Sequence, residues 1–329
     1  MWAPSSLVGA AVLAAAIAAG VLVLTALALF GPGIDSHNPR VSRPLTEFEK
    51  KFLSEHVARG AEETGFLSRP RPRRQVARLF YRFWLPRHLD APAGAKGVVV
   101  VLHGMNSHSA RNNTFMVELL RAGFIIAGLD HEGMGRSDGR HGYFSSVQHL
   151  TDDAIAFVEH VDKNFVDGAV ILCPAVQIHA TSRPSLAVEK IGKMLRTLTP
   201  KFPFARGNRG RNSSPEVAAM VDAMKRADPL FYNGRLRIGT GLAILDAIEY
   251  VQDKFHLIET PYLLQHGLAD LVCHISGSEE LHKKTRSVDK QFRSYPDGSH
   301  DLSNEPPHIR DAVVNDFVAW LEEKAAKTS

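Results

Sequence analysis

Apolar residues recur along this chain with three different spacings. From Leu7 to Phe30 the run LVGAAVLAAAIAAGVLVLTALALF is unbroken, and no charged side chain stands before Asp35. At 1.5 Å per residue, a helix of that length extends about 36 Å, more than the roughly 30 Å of a hydrocarbon core. The pattern predicts a single-pass membrane anchor over residues 1–34, then a polar, Pro-bearing linker over 35–46. Arg40, Arg43, Lys50 and Lys51 follow the run, which by the positive-inside tendency favours a cytosolic body. The alternative is a cleaved signal peptide with Ala26-Leu27-Ala28 as its small-residue site. Against it, the run is long and no basic segment precedes it.

From residue 47 to 329 the spacing changes to short β-type runs alternating with helical periods, which predicts one α/β domain. Leu79 to Trp84 predicts a strand. Gly97 to Leu102 and Phe124 to Leu129 are continuous branched apolar runs of the kind that form buried parallel strands. Between them, Phe115, Met116, Leu119 and Leu120 fall on one face of a helix over 113–122. A further helix is predicted from Thr151, with Asp152 and Asp153 at the positive end of its dipole, to about Phe165. Ala169 to Cys173, Tyr262 to Gln265 and Phe292 to Tyr295 resume the strand pattern. The stretch from about 176 to 250 is longer, more helical and more basic, and reads as a helical cap inserted into the sheet. Its stripe Ala187, Ile191, Met194, Leu195 and Leu198, beside Lys190, Lys193 and Arg196, suits either packing on its own domain or contact with an anionic lipid surface.

Composition adds exclusions. The 329 residues carry 44% hydrophobic and 22% charged positions, as an ordinary globular protein does, and a net charge of +4 without a basic arm, so no nucleic-acid partner is expected. Cys173 and Cys273 are far apart and in no C-x-x-C, which leaves them as small core residues. The 16 histidines form no H-E-x-x-H or similar spacing, so no metal and no cofactor is expected.

Two strand ends carry chemistry. Asp270 stands just past the run ending Gln265-His266-Gly267, and His300 follows Gly298-Ser299 after the next strand. Acid then histidine at successive strand ends matches the last two members of a Ser…Asp…His triad, with His300 as general base and Asp270 as its orienting partner. Together with Val101-Leu102-His103-Gly104-Met105-Asn106-Ser107-His108, Leu129-Asp130-His131-Glu132-Gly133-Met134-Gly135-Arg136-Ser137-Asp138-Gly139, His141-Gly142-Tyr143 and Asp228-Pro229-Leu230, these residues make the sequence resemble the monoacylglycerol lipase branch of the α/β-hydrolases. Plant-type lysophospholipases, caffeoylshikimate esterases and S33-type serine aminopeptidases are close to that branch. The resemblance covers roughly 44–325. It implies a mostly parallel sheet with helices on both faces, hydrolysis of carboxylic esters or lipids, and a backbone N–H at Met105 as half of an oxyanion hole.

The chain departs from that pattern at one place. Such enzymes carry a G-x-S-x-G elbow on the strand after the helix represented here by 151–165, and a buried helix after it. Here Asn164-Phe165 runs directly into Val166 and the strand 169–173. The fold class expected is therefore an α/β-hydrolase that lacks one central strand-elbow-helix unit, about thirty residues by typical element lengths. The literal match Gly135-Arg136-Ser137-Asp138-Gly139 is a decoy, because Ser137 lies in a loop several residues past its strand and not on a strand-to-helix turn. The chain as written is expected to be inactive. The alternative is a non-catalytic protein of this fold that binds or regulates at a membrane, with a protein partner that the sequence does not name.

Overall fold

The computed structural model describes residues 4–32, 38–72, 75–111, 113–161, 166–205 and 214–328. Helix α1 runs Pro4–Phe30, and α2 runs Glu47–His56 behind a capping box in which Thr46 and Glu49 each bond the other's backbone N–H. Strands β1 (Val57–Arg71) and β2 (Gln75–Pro86) pair antiparallel, Glu62 opposite Trp84 through Arg71 opposite Gln75. Then come β3 (Val98–Leu102), α3 (Asn113–Arg121), β4 (Ile125–Leu129), α4 (Val147–Val161) and β5 (Ala169–Leu172). Between β5 and β8 lie α5 (Leu186–Leu195), β6 (Pro203–Ala205), α6 (Pro215–Ala227), β7 (Leu236–Arg237) and α7 (Ile238–Gln252). The chain closes with β8 (Tyr262–Gly267), α8 (Ile275–Lys284), β9 (Lys290–Tyr295) and α9 (Pro307–Thr328).

The principal sheet is in two parts. One has the order β1-β2-β4-β3, with β3 parallel to β4; the other has the order β5-β8-β9, all parallel. β3 and β5 are thus both edges. Val98 and Leu102 of β3 and Leu172 of β5 are 46%, 47% and 39% exposed, although all three belong to branched apolar runs of the kind that is normally buried on both faces. Side chains hold the halves together: Val99 and Val101 of β3 and Val170 of β5 pack into one cluster with Phe115, Phe317 and Trp320. On the opposite face, Phe157 of α4 covers β2 and β4, while Phe255 and Leu281 cover β5 and β8.

Two expectations are corrected here. Among the described residues no helix is long and apolar enough to cross a membrane, which overturns the single-pass anchor at 1–34 and the membrane location with a cytosolic body drawn from it. Side chains of α1 are described only at Ala15 and from Ile17 on. Its C-terminal end is tied to the body: the Phe30 ring meets Phe202 edge-on at 5.1 Å, and the Lys201 N–H donates to the Phe30 carbonyl at 3.1 Å. The second correction is that α4 begins at Val147, a turn before Thr151. Asp153 is therefore not a dipole-facing carboxylate but a buried acceptor for Arg71 at 2.5 Å and Arg69 at 3.1 Å. Part of the linker and the junction at Asn164-Phe165 lie outside the described residues.

Phe157 is fully buried, and truncating such a side chain removes its transfer energy and leaves a cavity. Phe157→Ala is expected to cost about 3–5 kcal/mol, read as a lowered urea midpoint at unchanged slope.

Candidate active site

The C-terminal ends of β3, β5, β8 and β9 carry the chemistry-bearing loops, the usual place for a site in a parallel sheet. Two glycines set the spacing at β8 and β9. The Leu268 N–H donates to the Tyr295 carbonyl and the Ala269 N–H to the Gly298 carbonyl, both at 2.9 Å. A Cβ on Gly267 would stand 2.2 Å from that Gly298 oxygen, so only glycine permits the approach.

This approach brings Asp270 to His300. Asp270 Oδ1 accepts the N–H groups of Val272 at 2.7 Å and Cys273 at 3.0 Å, and Oδ2 accepts from His300 Nδ1 at 2.8 Å. His266 Nε2 lies 3.3 Å from the same Oδ2. Burial alone would raise the Asp270 carboxyl, but the hydrogen bonds from His266 and His300 outweigh it and hold the group well below the usual carboxylate range. Burial would likewise lower His300. The bond to Asp270, with Cys273 alongside, overrides it and raises the imidazole above the ordinary histidine value. With Nδ1 donating to Asp270, Nε2 is the nitrogen left to act as a base.

At the end of β3, His103 ties two loops together: its Nδ1 meets the Gly104 carbonyl at 2.8 Å, and its Nε2 accepts the His131 N–H at 3.0 Å. Burial lowers both imidazoles, His131 to about 3. Met105 follows, 45% exposed, and its N–H has no hydrogen-bond partner among the described residues. Asn106 takes a left-handed φ of 65°, and its carbonyl accepts the Tyr232 N–H at 3.0 Å.

Ser137 is elsewhere. It is fully buried, its Oγ accepting the Phe80 N–H at 2.8 Å and donating to the Asp130 carbonyl at 2.5 Å. The hydroxyl thus closes a loop against β2 and β4, with both of its roles occupied. Arg40 pins the same loop through the carbonyls of Gly135, Ser137 and Gly139.

Several neighbours were not read from the sequence. His266 precedes Asp270 by one turn and is fully buried, with Nδ1 on Ser278 Oγ at 2.7 Å. His108 Nε2 meets Asp228 Oδ2 at 2.7 Å and so ties the loop after β3 to the end of α6. Cys173, His266 and Asp270, and again Asp270, Cys273 and His300, place possible metal-ligating atoms within 4.8 Å of one another. The Asp270 oxygens are already engaged by four groups, so this is a hydrogen-bonded cluster and not an open ligand set. Both cysteines are free and buried, as expected of small core residues.

The profile of the family described as serine aminopeptidase, S33, matches residues 93–166 and 162–307, well over half of the chain. The chain belongs to that family, as a monoacylglycerol lipase-like α/β-hydrolase. It is 25% identical over 278 residues to the monoglyceride lipase of Mus musculus, covering 75% of this chain and 88% of that protein. It is 26% identical over 272 residues to the monoacylglycerol lipase of Mycolicibacterium smegmatis, covering 74% and 92%. The fold is shared with the Paleococcus ferrophilus monoacylglycerol lipase, at TM-score 0.60 and 21% identity over 80% of this chain and 99% of that one. The two stretches matched by the S33 profile meet at 162–166. The mouse comparison runs over 278 residues while covering 75% of this hydrolase, about 247 residues, so about thirty positions of the relative have no counterpart.

Because His300 is raised by folding, the stability it contributes is complete below its unfolded value near 6.5 and is lost as pH rises through the raised value. Asp270 is lowered by folding, so its contribution is present above about 3.9 and fades as pH falls. A histidine NMR titration is expected to show the His300 imidazolium persisting above pH 7. In Asp270→Asn, burial acts without the carboxylate, and the His300 midpoint is expected to drop to or below 6.5.

Proposed function

We propose that this α/β-hydrolase carries the ester-hydrolysing site of the monoacylglycerol lipase-like lineage without its nucleophile, and that the chain as it stands does not turn over. The observation that carries this reading is the Asp270–His300 hydrogen bond of 2.8 Å at the ends of adjacent parallel strands. Asp270 holds the imidazole with Nε2 directed away from the carboxylate, and His300 Nε2 is the base that would take a proton from a serine hydroxyl. The Met105 N–H is one donor for the oxyanion that forms as the ester carbonyl becomes tetrahedral. The substrate class is a carboxylic ester of a lipid alcohol, as in the monoglyceride lipases to which the chain is similar. The stretch 176–250 is the cap over the acyl path. Chemistry of this kind needs no cofactor.

Support for the missing serine comes from the junction. α4 ends at Val161 and β5 starts at Ala169, where a strand, an elbow and a helix belong. The two stretches of the profile match meet there too, and about thirty positions of the mouse lipase have no counterpart in this chain. Ser137, held by β2 and β4, is not available as a substitute.

The test is insertion, between Phe165 and Val166, of the mouse lipase segment that lies between its counterparts of α4 and β5. The inserted chain is expected to react with a fluorophosphonate probe at the new serine and to hydrolyse a monoacylglycerol. The parent chain should remain unlabelled and at least about 10⁶-fold slower, the size of loss seen when a triad nucleophile is removed. Stoichiometric labelling of any serine in the parent chain would sink the proposal. Transcript sequencing across the codons of Phe165 and Val166 decides its origin: an in-frame block encoding G-x-S-x-G means a shortened form of an enzyme, and a continuous genome means a true loss.

A further inference from the structure

The unpaired edges of β3 and β5 point to a specific occupant. In a parallel ladder each residue's N–H and C=O point to the same side, alternating along the strand. The Ile125 N–H donates to the Gly97 carbonyl at 3.0 Å, so 97, 99 and 101 address β4, and Val98, Val100 and Leu102 turn their backbone groups to the open edge. On β5 the Ala169 N–H donates to the Pro261 carbonyl and the Cys173 N–H to the Gln265 carbonyl, both at 2.9 Å. There 169, 171 and 173 address β8, and Val170 and Leu172 face the open side. Neither edge pairs with any other strand among the described residues.

We propose that these two edges form a strand-acceptor site that binds, in trans, one extended apolar segment running parallel to both: the strand-elbow-helix unit of a related hydrolase chain. Three observations specify this occupant. Both edges have the same polarity, since β3 is parallel to β4 and β5 to β8. Val99, Val101 and Val170 lean on one apolar cluster, so a strand between the edges would lay alternate side chains on that same core. About thirty positions of the mouse lipase have no counterpart in this chain, enough for one such unit. A strand seated there would end level with Met105 and Cys173, and its elbow would open toward His300. Backbone pairing on both sides supplies the affinity, and alternate apolar side chains supply the selectivity, as in other cases of strand addition. The inference rests on the proposed function for its occupant, but binding and catalysis are separable.

The probe is a synthetic peptide copied from the mouse monoglyceride lipase segment that lies between its counterparts of α4 and β5, added to the full chain. Amide hydrogen exchange is expected to slow at least tenfold at Val98, Val100, Leu102, Val170 and Leu172. Val99, Val101 and Ile171, whose amides already bond β4 or β8, should hardly change. Fluorescence anisotropy of the labelled peptide should show affinity reduced at least tenfold by Val100→Pro, which removes an open-edge donor and leaves the β4 ladder intact. No change at the five amides, or equal slowing at both sets, overturns the acceptor site. A fluorophosphonate probe reports separately. In the bound complex the peptide's serine oxygen would form the new P–O bond as fluoride leaves, its proton passing to His300. Failure of the covalently inserted chain to label overturns the proposed function, while the alternating exchange pattern still decides the acceptor site.

Discussion

A parallel strand inside a sheet has only its two neighbours to satisfy its amides and carbonyls, because helices cover both of its faces. β4 and β8 meet this condition, lying between β2 and β3 and between β5 and β9. β3 and β5 meet it on one side only. The division of the sheet, the exposure of Val98, Leu102 and Leu172, and the joining of the two halves by side-chain packing all follow from that. The cluster around Phe317 and Trp320 joins the halves through non-directional contacts, which resist separation but do not fix register. A single strand between them would add directional bonds on both edges. Without it, buried backbone groups at the open positions cost about 1–3 kcal/mol each wherever water cannot reach them.

The site inherits its precision from the intact part of the sheet. Asp270 and His300 sit on loops whose separation is set by backbone bonds from Leu268 and Ala269 across to Tyr295 and Gly298, and by the lack of a Cβ at Gly267. Those bonds belong to the β8–β9 pairing and do not involve the open edges. The dyad can therefore hold its geometry in a chain whose sheet is divided. The Met105 loop is anchored independently, by His103 onto the His131 N–H and by His108 onto Asp228.

What could be read from the sequence follows from how local each signal is. The runs at 97–102, 124–129 and 169–173 became β3, β4 and β5 because β-branched apolar residues suit a strand buried on both faces. β1 was not legible: VARGAEETGFLSRPR has neither alternation nor a branched run, and it is a strand because β2 offers a long antiparallel partner. Asp270 and His300 could be named from their positions at strand ends. His266, Cys173 and Cys273 could not, since they join the cluster only when β5 and β8 lie side by side. The expected anchor was read from apolar length alone, and the described residues do not bear it out. The helix start at Thr151 failed because Ser146, whose Oγ accepts the Gln148 N–H at 3.1 Å, starts α4 earlier.

The electrostatics of the dyad are those of a tightly held acid–imidazole pair. A general base works best when its conjugate acid titrates near the operating pH, so that the neutral form is available to take a proton. Here the imidazole is raised above its ordinary value by a buried carboxylate that is itself held ionised by His266, His300 and two backbone N–H groups. Both shifts favour the ion pair, His300 charged against Asp270. Such a pair stabilises the β8–β9 loops but has little proton-accepting capacity. A serine between Nε2 and the Met105 N–H would add a neutral partner on the open side of the ring and exclude some of the water that solvates the imidazolium, which shifts the balance toward the neutral base. If the nucleophile is absent as proposed, Asp270 and His300 thus have a structural reason to stay paired without the hydroxyl they would serve.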